Sequence, residues 1–244
     1  MPKVPIAMTT AAGMGPLPDV LERLAGTKAV RRAFSTVGLP LQLVDERHHR
    51  LPMLAMVELF HAAETVAADD LFGFRVGTEM APSAYGLWTA YAGQAPTAGK
   101  ALERLARTIG VHQRGGTLRL TRRGDAVTWT YIAPNNSSKN ERAHADHIVP
   151  VMTRFLRPFL GRNWVPDQIG LPFENDGQDD ARSALIACRW TYNARGVALT
   201  FPAALLDEGR MSDITAPLYT SVEVHAEKLM ENAINLVDVT EQLI

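Results

Sequence analysis

The chain has 244 residues, 46% of them apolar and 21% charged, enough to bury a sizeable core and too apolar for a disordered polypeptide. Its 25 basic and 26 acidic residues leave a formal net charge of -1, without the basic balance expected of a nucleic-acid-binding domain. A single cysteine, Cys188, excludes a disulfide framework and a cysteine-rich zinc site. No apolar run reaches the roughly eighteen residues of a membrane span, and the N-terminus lacks a secretory apolar core, so a cytoplasmic protein is expected.

Residues 1–18, rich in Pro, Gly, Ala and Thr, read as a loose tail. An N-terminal helical part, 19–80, follows. Asp19 caps a helix running to about Phe34, with Val20, Leu21, Leu24 and Val30 apolar and Gly26 placed to split it. Gly38-Leu39-Pro40 is a break. Leu51-Pro52 opens a stronger helix to about Ala68, with Leu54, Val57, Leu59, Ala62 and Val66 on its apolar side.

Residues 81–210 read as the α/β part. One helix carries Tyr85, Trp88 and Tyr91. A second, capped by Thr97, sets Ala101, Leu102, Leu105 and Ile109 against basic Lys100, Arg104 and Arg107. A hairpin turning at Gly124-Asp125 then places Leu118 and Leu120 on one face of its first strand, and Val127, Trp129 and Tyr131 on one face of its second. After the loop Pro134–Asn140, a helix over about 141–160 has Ile148, Val151, Met152, Phe155 and Phe159 at helical spacing. Pro150 and Pro158 inside it predict a kink or an early end. An interrupted strand over 165–173, an acidic loop over 175–180 and strands over 184–191 and 196–201 complete the part. The expected fold class is α/β (α+β), with helices packed on a small mixed or antiparallel sheet.

In the last stretch, 211–244, Val222, Leu229, Leu236 and Leu243 are seven apart, and Ala226, Ala233 and Val239 extend the stripe. That period suits a helix laid against a partner helix, whereas His225 and Asn232 interrupt it. The alternatives are an amphipathic helix docked on its own domain, a dimerisation helix and a linker.

No phosphate loop, nucleophile elbow or dinucleotide fingerprint is present. Glu58, His61 and Glu64 lie three apart on one helix, and Glu141, His144 and His147 repeat the spacing. Each set could converge on a metal and serve a metal-dependent enzyme; the plainer alternative is two solvated helix faces. His48-His49 sits in a charged loop. His112 is the histidine on which a haem-type sensor reading would fall, with no motif behind it. Tyr85, Trp88, Tyr91, Trp129, Tyr131 and Phe155 form the candidate wall of a small-molecule pocket, or else core. Lys100, Arg104, Arg107, Arg114, Arg119, Arg122 and Arg123 form either a solvated face or a site for an acidic ligand or a nucleic-acid backbone. Cys188, beside Ile186, Ala187 and Trp190, reads as an inert thiol.

Several segments, in order, resemble a known family. They are Val37-Gly38-Leu39-Pro40, Leu51-Pro52 with Ala62-Ala63-Glu64, Phe72-Gly73-Phe74-Arg75-Val76-Gly77, Tyr85-Gly86, Ala95-Pro96-Thr97 and Lys100-Ala101-Leu102. Gly124-Asp125, Cys188–Asn193, Val197–Pro202 and Leu205-Leu206-Asp207 follow. Together they resemble the N-terminal effector-sensing region of AraC-type transcriptional regulators, in the "arabinose-binding" branch typified by the ornithine-utilisation regulator. The resemblance covers about 30–207. It implies a non-enzymatic homodimeric sensor of a small molecule that needs no cofactor. It also implies a linker at the C-terminus and contact with DNA only through a helix-turn-helix domain that this chain lacks.

Overall fold

Residues 8–17 are not loose. In the computed structural model, which describes residues 6–134, 140–211, 217–227 and 229 (the side chains of 82 and 83 excepted), strand β1, Met8–Thr10, lies between β2, Arg50–Pro52, and β3, Gln113–Arg114. Both pairings are antiparallel. The expected tail is overturned over 8–17, where Ala11, Met14 and Leu17 are buried in the helical core; residues 1–5 lie outside the described residues. Helix α1 starts at Leu17 and ends at Ala25, and Pro18 sits in its first turn, where a missing N–H costs nothing. Gly26, at φ 83°, separates it from α2, Thr27–Thr36. Helices α3, Met53–Ala67, and α4, Phe72–Glu79, complete the helical part.

Helices α5, Leu87–Gly93, and α6, Ala98–His112, follow, and Thr97 caps α6 by accepting from the Lys100 N–H at 3.3 Å. The hairpin is β4, Thr117–Arg123, with β5, Ala126–Ile132. It joins a mixed five-stranded sheet of order β4-β5-β8-β6-β7, where β6 is Gln168–Gly170, β7 Arg189–Thr191 and β8 Val197–Pro202. β6 and β7 are parallel and the other pairs antiparallel. Val127, Trp129 and Tyr131 on β5, and Val197, Leu199 and Phe201 on β8, alternate inward as a half-buried strand requires.

Helix α7, Arg142–Leu160, runs through both Pro150 and Pro158 without ending early. Each proline removes one helical hydrogen bond, but the helix is held along its length. Ala143 belongs to the helical core, whereas Val149, Met152, Phe155 and Phe159 belong to the core under the sheet. The strand expected over 184–191 is also corrected. Residues 184 and 185 end helix α8, Asp179–Leu185, whose first-turn Asp179 and Asp180 favour a helix start, and only Arg189–Thr191 is strand. The fold class is α/β, as expected. No helix among the described residues is long and apolar enough to cross a membrane.

Near the C-terminus, residues 221–227 are helical. Val224 is fully buried, while Val222 is 74% and Leu229 69% exposed. Leu236 and Leu243 of the heptad-like stripe lie outside the described residues.

Candidate functional site

The two cores meet at a seam, and at the seam lies a cavity of about 70 Å³. Helix α3 brings Met53 and Met56 to it, α6 brings Leu105, Ile109 and His112, and β5 brings Trp129 and Tyr131. Helix α7 supplies His144, His147, Met152 and Phe155 from one face. Thr9 arrives on β1 and Gln113 on β3, so the small sheet closes one side.

Five of the six residues read from sequence as pocket wall line this cavity: Tyr85, Trp88, Trp129, Tyr131 and Phe155. Tyr91 does not. Its ring lies under the Arg104 guanidinium at 4.7 Å, and its carbonyl accepts from the same side chain at 2.9 Å. The histidines were missed as wall. His112 stacks on Trp88, with ring centroids 5.1 Å apart and planes 9° from parallel, and meets Tyr85 edge-on at 4.7 Å. His147 stacks on Phe60 at 4.3 Å. A signal for it existed: His147, Val151 and Phe155 are four apart on one apolar helix face.

The polar groups of the wall are few and mostly committed. Tyr131 Oη donates to Gln113 Oε1 at 2.9 Å, and Gln113 Nε2 points at Met53 Sδ at 2.7 Å. Trp88 Nε1 donates to the Leu105 carbonyl at 3.3 Å. His147 Nδ1 lies 2.6 Å from the His144 carbonyl oxygen. Burial holds all three imidazoles neutral. It pushes His112 down to about 3, with the Arg50 charge adding to the effect, His147 down to about 4, and His144 well below its ordinary value. Burial likewise raises the phenols of Tyr85 and Tyr131. Two buried wall atoms, Trp129 Nε1 and His147 Nε2, have no protein partner. None of the described lining residues is Lys, Arg, Asp or Glu.

The sequence-predicted metal sets do not converge. Glu58 accepts from Asn140 Nδ2 at 2.8 Å. His61 lies 3.5 Å from Glu64, whose carboxylate pairs with Arg142 at 3.0 Å. His144 and His147 turn into the cavity wall. Among the described residues no group of three His, Cys, Asp or Glu is placed to hold a metal ion. In the basic set, Lys100 and Arg107 both pair with Glu103, and Arg119, Arg122 and Arg123 stand exposed on β4. Cys188 is half-buried, and burial pushes its thiol up to about 11, so thiolate chemistry is disfavoured.

Helix α5 joins the cavity to the C-terminal segment. It contributes Trp88 to the wall, and at its end Gln94 holds the segment twice. Gln94 Nε2 donates to the Pro217 carbonyl at 2.6 Å, and Gln94 Oε1 accepts from the Tyr219 N–H at 2.8 Å. At the other end of α5 the Glu227 carboxylate accepts from the Leu87 N–H.

Residues 29–209 match the family described as the arabinose-binding domain of AraC transcription regulator, N-term. The fold is similar to that in the crystal structure of transcriptional regulator CdpR from Pseudomonas aeruginosa. The TM-score is 0.58 at 16% identity, over 88% of this chain and 70% of that one. No curated protein matches the chain.

Proposed function

We propose a function from one premise: the chain belongs to the family of the N-terminal arabinose-binding domain of AraC transcription regulators. It is a regulatory effector-binding domain, and the seam cavity is where a small-molecule effector sits. One observation carries this reading: an aromatic-walled cavity shares helix α5 with the C-terminal segment 217–227. The effector selects one setting of α5 and thereby one setting of residues 217–227, a population shift of the kind that links two sites. The exposed side of that helix, with Val222 and Leu229, pairs with a second copy. In the intact cytoplasmic regulator the pair sets the spacing of two attached helix-turn-helix domains on their half-sites. The domain itself catalyses nothing.

Native mass spectrometry tests the reading. A dimer that retains a small-molecule mass supports it, and Val222→Asp with Leu229→Asp should convert that dimer to a monomer. A wild-type monomer that takes up no small molecule would overturn it.

A further inference from the structure

We propose that the cavity takes an uncharged, mainly apolar ligand of about ring size that carries both a hydrogen-bond acceptor and a donor, as a phenol does. This rests on the cavity being the effector site.

Two atoms make the polar demand. Trp129 is 2% exposed and its indole nitrogen, which can only donate, has no protein partner. His147 is 1% exposed and its Nε2 is equally unpartnered. The role of that Nε2 is set by the other ring nitrogen. A carbonyl oxygen only accepts, so His147 Nδ1, 2.6 Å from the His144 oxygen, carries the ring proton. The ring is neutral, so Nε2 is a bare acceptor. An unmet buried donor or acceptor costs on the order of 1–3 kcal/mol. A ligand that offers an acceptor to Trp129 and a donor to His147 removes both costs, and a hydroxyl has both functions. Water has them too, but an organic ligand also covers the apolar wall.

The rest of the wall selects against charge. The described lining residues include no ionised side chain, and the imidazoles are neutral. A carboxylate or ammonium entering there loses its hydration with no ionised lining side chain to pair with; the Arg50 charge that reaches His112 lies outside the lining, its guanidinium donating to the Val111 carbonyl at 2.9 Å. At about 70 Å³ the cavity is smaller than the ~150 Å³ apolar cavity that admits benzene. A ring therefore enters by displacing Met53, Met56 and Met152, whose flexible thioether chains re-pack readily.

Calorimetric titration of the 244-residue chain at pH 7 with phenol, benzoate and toluene tests this. Phenol should bind saturably, toluene about tenfold more weakly for the loss of one net hydrogen bond, and benzoate not at all. Trp129→Phe keeps a ring and deletes the N–H, so it should weaken phenol about tenfold relative to toluene. Should that variant fail to fold, the wild-type comparison of the three probes decides. Benzoate binding as tightly as phenol would overturn the uncharged class and leave the cavity as the effector site. Toluene matching phenol would overturn the hydrogen-bond demand alone. Failure of all three to bind would overturn both this inference and the effector-site reading.

Discussion

Gly77 lies against the carbonyl of His147 so closely that a Cβ added there would stand 2.1 Å from the oxygen. One turn earlier, a Cβ on Gly73 would stand 1.9 Å from the Ala143 oxygen. The neighbour in each case is backbone, so no side chain can swing away. This contact lets α4 and α7 approach closely, and α7 carries much of the cavity wall. Gly77→Ala should push the helices apart, lower stability by about 1–3 kcal/mol or more, and weaken ligand binding with it. Urea unfolding followed by fluorescence checks this. A variant within about 0.5 kcal/mol of wild type would show that the contact relaxes freely.

Those two glycines stand in a segment that carries the family likeness, and the turn that the sequence suggests over 69–73 ends at Leu71, where α4 begins with Phe72. The helical periods gave α3, α6 and α7, and the hairpin followed from alternation about Gly124-Asp125. Strands β1 and β3 were not legible, being too short to show any period. Thr9 and Gln113 could therefore not be assigned to the cavity. The aromatic wall was largely legible because large rings on an amphipathic α/β unit must turn inward. Tyr91 departs because Arg104, one helix away, gives its ring a partner at the surface. His144 and His147 were visible as a spaced pair, but that spacing served packing on Phe60 and α4 rather than a metal.

The neutral histidines predict an acid limit to stability. His112 and His147 titrate at about 3 and about 4 in the fold against an ordinary 6.5, and His144 is displaced in the same direction. Below pH 6.5 the unfolded chain therefore binds more protons than the native one, and stability falls with pH, by up to about 1.4 kcal/mol per unit for each imidazole. Asp146 works the other way: burial lifts it to about 6, so the native state takes up its proton first. The net loss should steepen between pH 7 and 6 and continue at a near-constant slope to about pH 4, with Asp146 offsetting one imidazole. His112→Phe keeps an aromatic ring beside Trp88 and should lower the mean slope between pH 7 and 5 by about 0.9 kcal/mol per pH unit. Urea titrations at pH 7, 6 and 5 give the slope, and an unchanged slope would exclude His112 from the account.

Arg182 and Asp146 are a fully buried pair joining α8 to α7, with bonds of 3.1 and 2.9 Å, and Arg182 also reaches Asp176 at 2.6 and 2.7 Å. Removing Asp146 leaves the buried guanidinium with Asp176 as its one carboxylate partner, so Asp146→Ala should cost less than the about 3–5 kcal/mol of a fully unpaired buried charge. The double change Asp146→Leu, Arg182→Met removes both buried charges and should recover much of that loss. Thermal unfolding of the set decides it; a double variant no better than Asp146→Ala would assign the loss to packing rather than to the half-paired guanidinium.

Gln94 tests the link from cavity to C-terminal segment. Its side-chain amide bonds Pro217 and Tyr219 at once, so Gln94→Ala releases two backbone groups while leaving the cavity wall intact. Each lost bond is worth about 0.5–1.5 kcal/mol, so the Tyr219 amide should exchange with solvent roughly tenfold faster. Ligand affinity should stay near wild type, because Gln94 touches none of the wall. If α5 transmits the effector signal, ligand should slow exchange across 217–227 in the wild type and have little effect there in Gln94→Ala. Equal slowing in both proteins would place the coupling on the segment's other contacts, the buried Val224 and the bond between Glu227 and the Leu87 N–H. No slowing in either would separate the cavity from the segment altogether.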